Sequence, residues 1–142
     1  MSEEKLAREA DRWLRQAADD LEAAQALMSA AKYAQTAFLA QQAGEKAMKA
    51  VWFRLDADPW GHSVARLVRD LPEAGTRRCF MDLLELAFAL DKLYIPTRYP
   101  DALADLIPGE SYTQSEARAA IDAARALWER ARDVLAGLEC SR

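Results

Sequence analysis

Residues 6–31 read LAREADRWLRQAADDLEAAQALMSAA, and they set the architecture expected for the rest of the chain. Apolar side chains recur along this segment at steps of three and four: Leu6, Ala10, Trp13, Leu14, Ala17, Leu21, Ala24, Leu27 and Met28. Because an α-helix turns once in about 3.6 residues, this spacing gathers the apolar groups on one face. Neither Gly nor Pro occurs in the segment, so the sequence predicts a long amphipathic helix.

The same helical spacing returns further along the chain. It predicts a second helix at Tyr33–Leu55, a short one at His62–Leu71, a third long one at Arg77–Leu93 and a last one from Thr113 to about Leu138. Loops are expected where Pro and Gly gather: Asp56–Gly61, Pro72–Gly75 and Tyr94–Tyr112. No strand pattern occurs. We therefore predict one all-α domain over residues 1–142, an up-and-down bundle of four long helices plus one short helix.

Local signals refine this prediction. Gly44 lies inside the second helix, where it costs about 1 kcal/mol relative to Ala, so a close packing contact is expected there. Thr113 and Glu116 have the spacing of a capping box, and Gly137 suits a C-terminal cap. Three tryptophans lie on apolar stripes and are predicted to be core residues: Trp13, Trp52 and Trp128. Trp60 lies in a predicted loop and is expected to be exposed.

Composition excludes several classes of protein. The 142 residues carry 19 Lys and Arg against 23 Asp and Glu, a formal charge of −4, which does not favour a general nucleic-acid or membrane binder. No run approaches the ~18 apolar residues of a membrane span, and the N-terminal segment has no signal-peptide pattern. Cys79 and Cys140 lack the spacing of a zinc site, and no disulfide framework is expected. We expect a cytoplasmic protein without a membrane partner.

Three segments carry a resemblance to a known family. Residues 38–50 read FLAQQAGEKAMKA, His62-Ser63-Val64 follow with Leu67, and residues 98–101 read RYPD. Together and in this order they resemble the HEPN domain, a small helical domain of prokaryotes often found beside a minimal nucleotidyltransferase. The resemblance covers nearly the whole chain. It implies a helical bundle that forms homodimers and acts with a separate nucleotidyltransferase, often in a toxin–antitoxin arrangement.

Some members of that family are metal-independent ribonucleases with an Arg-x(4–6)-His motif. This chain departs from that pattern, because His62 is its only histidine and Arg54, the nearest preceding arginine, is separated from it by seven residues. Acid–base cleavage of RNA near neutral pH generally needs a histidine-like group. The absent motif therefore favours a binding role over catalysis.

Polar residues of these segments form the candidate ligand site: Gln42, Glu45, Lys46, Lys49, His62, Arg98, Tyr99 and Asp101. Five residues of the second helix are expected to line a polar cleft between helices: Gln41, Gln42, Glu45, Lys46 and Lys49. Lys46 and Lys49 would face phosphates as point charges, while the guanidinium of Arg98 takes a phosphate and the ring of Tyr99 a base. No cofactor is expected, and a lone histidine does not make a metal site.

Each candidate also has a purely structural interpretation. Glu45 and Lys49 have the spacing of an ion pair on a helix surface, and His62 could cap the short helix or bond to Glu45. Arg98 could pair with a carboxylate such as Glu45. Three functions therefore stay open: a homodimeric module that partners a nucleotidyltransferase and binds a nucleotide or RNA end, a divergent ribonuclease using His62, Arg98 and Glu45, and a structural helical dimer.

Overall fold

The computed structural model describes residues 2–137, apart from the side chain of Ala102. Leu138 and Cys140, which figure in the sequence predictions, lie outside this range. The described part contains seven α-helices and no strand: α1 (Glu3–Ser29), α2 (Tyr33–Arg54), α3 (Val64–Arg69), α4 (Ala74–Arg78), α5 (Leu84–Asp91), α6 (Pro108–Ser111) and α7 (Gln114–Leu135). Short 3-10 turns occupy Met81–Leu83 and Pro100–Ala102. The predicted all-α bundle is confirmed.

α2 is the centre of the bundle. It packs against α1, α7, α3, α5 and α6. Its inner face is made largely of alanines with no exposed surface: Ala37, Ala40, Ala43 and Ala47. Because these side chains are small, neighbouring helices approach α2 closely, and larger groups such as Phe80, Leu90 and Leu127 fill the space around it.

Gly44 makes the close contact that its position in α2 predicts. A Cβ atom at this position would lie 2.6 Å from Cδ1 of Leu90 and 3.6 Å from Cδ1 of Leu127. Both leucines are fully buried. The missing side chain therefore lets α5 and α7 pack against α2.

The expected third long helix, Arg77–Leu93, is wrong in one respect, since it is broken into α4, a 3-10 turn and α5. The cause is a distant side chain: Arg130 of α7 donates to the carbonyl oxygen of Cys79 and, at 2.7 and 3.0 Å, to the carboxylate of Asp82. The hydrogen bond that Arg130 donates is the largest influence on Asp82 and holds the pKa of this carboxyl below its usual value. The break turns Phe80 fully into the core.

The ends of α7 follow the sequence signals. The Thr113 side chain accepts from the Glu116 amide at 3.1 Å, and the Glu116 carboxylate accepts from the Thr113 amide at 3.0 Å, which completes the predicted capping box. Gly137 follows the helix with φ +86°, in the left-handed region that favours glycine. Both termini of α7 are thus fixed locally, as the sequence predicts.

The tryptophans divide largely as expected. Trp52 is buried and donates its indole N–H to the carbonyl of Leu67 at 2.9 Å, whereas Trp60 is 65% exposed. Trp13 and Trp128 are only half-buried. The indole N–H of Trp128 donates to the carbonyl of Leu14 at 2.9 Å and so joins α7 to α1.

Two further expectations concern membrane-spanning helices and disulfide bonds. Among residues 2–137, no helix is long and apolar enough to cross a membrane. Cys79 is disulfide-bonded, whereas the sequence led us to expect no disulfide framework.

Candidate functional site

The candidate site lies along the one accessible face of α2. Between residues 36 and 52 every side chain of α2 is buried except those of Phe38, Leu39, Gln42, Lys46 and Lys49. Steps of three and four extend this row to Gln35 and Phe53, and we call it the α2 stripe: Gln35, Phe38, Gln42, Lys46, Lys49 and Phe53. Most of the sequence-predicted candidates lie on it or beside it.

Glu45, next to the stripe, is the hub of a buried polar network. Its side chain is 5% exposed, and Lys49 lies 3.2 Å from Oε2. Gln41 donates from Nε2 to Oε1 of Glu45 at 3.2 Å and to the carbonyl oxygen of His62 at 3.3 Å. Gln42 donates to the amide oxygen of Gln41 at 2.8 Å. A carboxylate this deeply buried is stable only with such partners, and the network ties the loop before α3 to α2.

His62 meets Glu45, as one of its two structural interpretations predicts. Its Nδ1 lies 3.3 and 3.4 Å from the two carboxylate oxygens, and its ring stacks on Tyr94 with centroids 4.7 Å apart. With the proton on Nδ1 the ring donates to Glu45, and Nε2 is left as an acceptor. The His62 side chain is 58% exposed, so a ligand could reach its ring from the solvent.

The cap of α3 is Ser63 and not His62. The Ser63 hydroxyl accepts from the Arg66 amide at 3.1 Å and donates to Asp91 at 2.7 Å. Asp91, at the end of α5, also accepts from the Val64 amide at 2.6 Å. These bonds fix the start of α3 against α5, and this fixes the place of His62 immediately before it.

Arg98 is held by aromatic rings. Its guanidinium carbon lies 4.4 Å from the ring centre of Phe38, 4.5 Å from that of Tyr94 and 5.1 Å from that of Tyr99. Nε donates to the carbonyl oxygen of Tyr94 at 2.9 Å. Within residues 2–137 Arg98 forms no ion pair, so the proposed pairing with Glu45 is absent. Since His62 and Arg98 both contact Tyr94, the fold brings together two segments that are distant on the chain.

The two lysines of the stripe are already paired. Lys46 lies 2.6 Å from Asp20 of α1, which also accepts from Gln16 at 3.0 Å. Lys49 pairs with Glu45, as the helical spacing predicts. Their side chains are only 23% and 12% exposed. A phosphate at either lysine would therefore compete with a carboxylate that is already in place.

Tyr99 and Asp101 lie on the outer side of this region. Tyr99 is 47% exposed, and its ring contacts Arg98. Asp101 is exposed on the 3-10 turn Pro100–Ala102, and no hydrogen bond joins it to His62 or Glu45 within the described chain. The structure thus assembles Gln42, Glu45, Lys49 and His62 directly, brings Arg98 and Tyr99 alongside through Tyr94, and leaves Asp101 apart.

Two surface pockets adjoin the stripe. A groove of about 610 Å³ lies beside Trp13 and includes Arg12, Arg15, Gln16 and Lys46. A second pocket of about 590 Å³, which we call the Lys32–Arg98 pocket, is lined mainly by Lys32, Gln35, Phe38, Arg98, Ile107 and Glu110. The sequence predictions missed Asp20, Lys32 and Gln35. Helical spacing could have found the last two, because Lys32 and Gln35 precede Phe38 by six and three residues, the spacing of successive helical turns.

Among residues 2–137, no group of three or more His, Cys, Asp or Glu side chains could hold a metal ion. The described site contains cations, aromatic rings and one histidine beside a carboxylate.

Comparison with known proteins identifies the family. The model of the HEPN domain matches residues 10–134. The chain belongs to the HEPN domain family. The protein TT1696 from Thermus thermophilus is 40% identical, with a TM-score of 0.82, over 87% of this chain and 96% of that one. ST0689, an archaeal HEPN homologue, is 33% identical, with a TM-score of 0.73, over 89% and 97%.

A HEPN domain protein from Thermotoga maritima is 28% identical, with a TM-score of 0.65, over 89% of this chain and 99% of that one. No curated protein matches the chain. The HEPN resemblance inferred from residues 38–50, His62 and residues 98–101 is therefore confirmed at the level of the family.

Proposed function

We propose that this HEPN domain protein is a homodimeric binding module that partners a separate nucleotidyltransferase and binds a nucleotide or an RNA end. We include in the proposal a cytoplasmic location and a role in a toxin–antitoxin type system. The observation that carries the binding role is Arg98, whose guanidinium is held over three aromatic rings and forms no ion pair within residues 2–137. An arginine fixed in this way is suited to a phosphate, because its donors are already oriented.

Titration calorimetry with ATP, other nucleotides and short RNAs tests this role. Arg98→Met keeps a long side chain against the rings but removes the donors, and we expect it to weaken binding about 10- to 100-fold, the range for a hydrogen bond to a charged group. Arg118→Met, on the exposed side of α7, is the matched control and should bind as the unaltered protein does. If none of the ligands binds, with or without magnesium, only the structural dimer remains.

Exposed apolar side chains support self-association. Several of them lie outside the Lys32–Arg98 pocket and are 36–47% exposed: Met81, Leu86, Phe88, Ile95 and Leu106. Large apolar side chains left on the surface commonly mark association sites where they gather in a patch. Light scattering at micromolar concentrations should give about twice the chain mass of 15.9 kDa. A monomer mass throughout that range would contradict the dimer.

The nucleotidyltransferase partner is testable independently of ligand binding. If a nucleotidyltransferase is encoded beside this chain, the two proteins should co-purify when they are expressed together. Expression of each alone and of both together would then measure any effect on growth. A neighbouring nucleotidyltransferase that never associates with this protein would count against the partnership.

A second candidate function, RNA cleavage, is favoured by the contact between His62 and Glu45. A carboxylate on Nδ1 orients an imidazole so that Nε2 can accept a proton. Arg98, near the same tyrosine ring, has the chemistry to stabilise charge on a phosphate. We rank this function second, because the Arg-x(4–6)-His motif is absent and His62 is the only histidine.

A further inference from the structure

The Lys32–Arg98 pocket is built from three separate parts of the chain. The first part is Lys32, which immediately precedes α2, with Gln35 and Phe38 from the first turns of that helix. The second is Thr97 and Arg98 from the turn after α5, and the third is Ile107, which precedes α6, with Pro108 to Glu110 of that helix. A volume of about 590 Å³ is in the range of sites for small ligands. It suits a single nucleotide and not a duplex.

The pocket differs from the rest of the α2 stripe in its charge. Lys46 and Lys49 are paired with Asp20 and Glu45, whereas Lys32 and Arg98 form no ion pair within residues 2–137. One carboxylate, that of Glu110, also lines the pocket, and it already accepts from the Ile107 amide at 3.1 Å. The pocket therefore holds two cations, Lys32 and Arg98, and one carboxylate, Glu110, which already accepts a hydrogen bond from a backbone amide.

The two cations play different parts. Arg98 is held by Phe38, Tyr94 and Tyr99 and by the bond from its Nε, so it offers its Nη groups at a fixed place. Lys32 is exposed, and its flexible stem can follow a ligand. The fixed guanidinium of Arg98 and the mobile ammonium of Lys32 together can bind a group that carries two negative charges.

We propose that the Lys32–Arg98 pocket binds a terminal phosphate monoester, and this inference rests on the proposed binding function. A terminal phosphate carries about −1.5 to −2 charges near neutral pH, whereas an internal phosphodiester carries one. The phosphate lies between Lys32 and Arg98. The remainder of the ligand lies against Ile107 and Pro108, where Glu110 accepts from a hydroxyl or amino group.

The first test compares probes that differ only in that phosphate. AMP is titrated against adenosine, and a 5′-phosphorylated RNA trinucleotide against its 5′-hydroxyl form. We expect the phosphorylated member of at least one pair to bind at least about tenfold more tightly, and the responding pair identifies a free nucleotide or an RNA end as the source of the phosphate. Equal affinity within both pairs would overturn the inference.

The second test changes the pocket. A side chain at Gly109 would meet no atom within 4 Å of its Cβ, so Gly109→Glu adds a negative charge to the pocket without a clash, and Gly109→Gln is its neutral match. We expect the Glu variant to bind the phosphorylated probe at least about tenfold more weakly than the Gln variant. Lys32→Gln should weaken binding similarly, while Lys92→Gln, an exposed lysine outside the pocket, should not.

Circular dichroism verifies that each variant is folded. If the unaltered protein binds but neither Lys32→Gln nor Gly109→Glu differs from its control, the ligand binds elsewhere, and the pocket inference fails while the binding function stands. If no phosphorylated probe binds the unaltered protein, both fail.

Discussion

Replacing Gly44 by alanine sets two opposing effects against each other. Alanine is favoured over glycine inside a helix by about 1 kcal/mol. Its Cβ, however, would lie 2.6 Å from Cδ1 of Leu90, about 1 Å inside ordinary van der Waals contact. Leu90 is fully buried and cannot move into solvent, so the contact must be relieved by shifting packed atoms. Overpacking of this kind costs about 1–3 kcal/mol, so we expect a net loss of about 1 kcal/mol.

Thermal unfolding followed by circular dichroism measures this effect. For a chain of this size the loss corresponds to a fall in Tm of about 3 °C. Gly75→Ala is the control, because its nearest atoms are side-chain ends at 3.8 Å and no clash is expected. The decisive comparison uses a Leu90→Ala background, in which the clashing atom is gone. There, Gly44→Ala should raise the stability by up to about 1 kcal/mol.

Gly44→Ala should lower the stability when Leu90 is present and raise it when Leu90 is replaced by alanine. Only the close contact between Gly44 and Leu90 predicts this change of sign. If Gly44→Ala raised the Tm with Leu90 in place, or changed it equally in both backgrounds, the close contact between α2 and α5 would be refuted.

Two further predictions concern Asp82 and RNA cleavage. Because Arg130 lowers the pKa of Asp82 in the folded state, this carboxyl contributes stability above its unfolded pKa of about 3.9 and loses the contribution as the pH falls through lower values. Asp82→Asn should therefore be less stable than the unaltered protein in urea unfolding at pH 7, and the difference should shrink at pH 3; a difference that grew in acid would contradict this sign. We also expect the purified protein not to cleave structured or single-stranded RNA, and cleavage that both His62→Ala and Arg98→Ala abolish would establish the ribonuclease instead.

Local sequence patterns accounted for most of the helices but not for the break before α5. The apolar spacing of residues 77–93 is that of one helix, and nothing within the segment ends it. The break depends on Arg130, which donates a hydrogen bond to the carbonyl oxygen of Cys79. These two residues are 51 positions apart on the chain. An interaction between elements so far apart is invisible to a pattern that reads only neighbouring residues.

In the candidate site, too, contacts within one helix could be predicted from the sequence, whereas contacts between distant elements could not. The pair Glu45–Lys49 follows from helical spacing, and the contact between His62 and Glu45 was among the alternatives that residue chemistry suggested. The partner of Lys46 is Asp20, 26 positions away on another helix, so the sequence did not reveal that this lysine is already paired. Whether Lys46 and Lys49 also contact a ligand stays a prediction. The charge available to a ligand depends on tertiary pairing and not on the number of basic residues in a motif.

The central place of α2 has a consequence for the motions of the molecule. A backbone amide exchanges its hydrogen with solvent only when its hydrogen bond opens, and helices on the outside of a bundle can open without disturbing the rest. Because α2 packs on α1, α3, α5, α6 and α7, it cannot open without separating them, and its amides should exchange only through global unfolding. The short α6 at the edge of the Lys32–Arg98 pocket can open locally, so this wall of the pocket can adjust to what it binds.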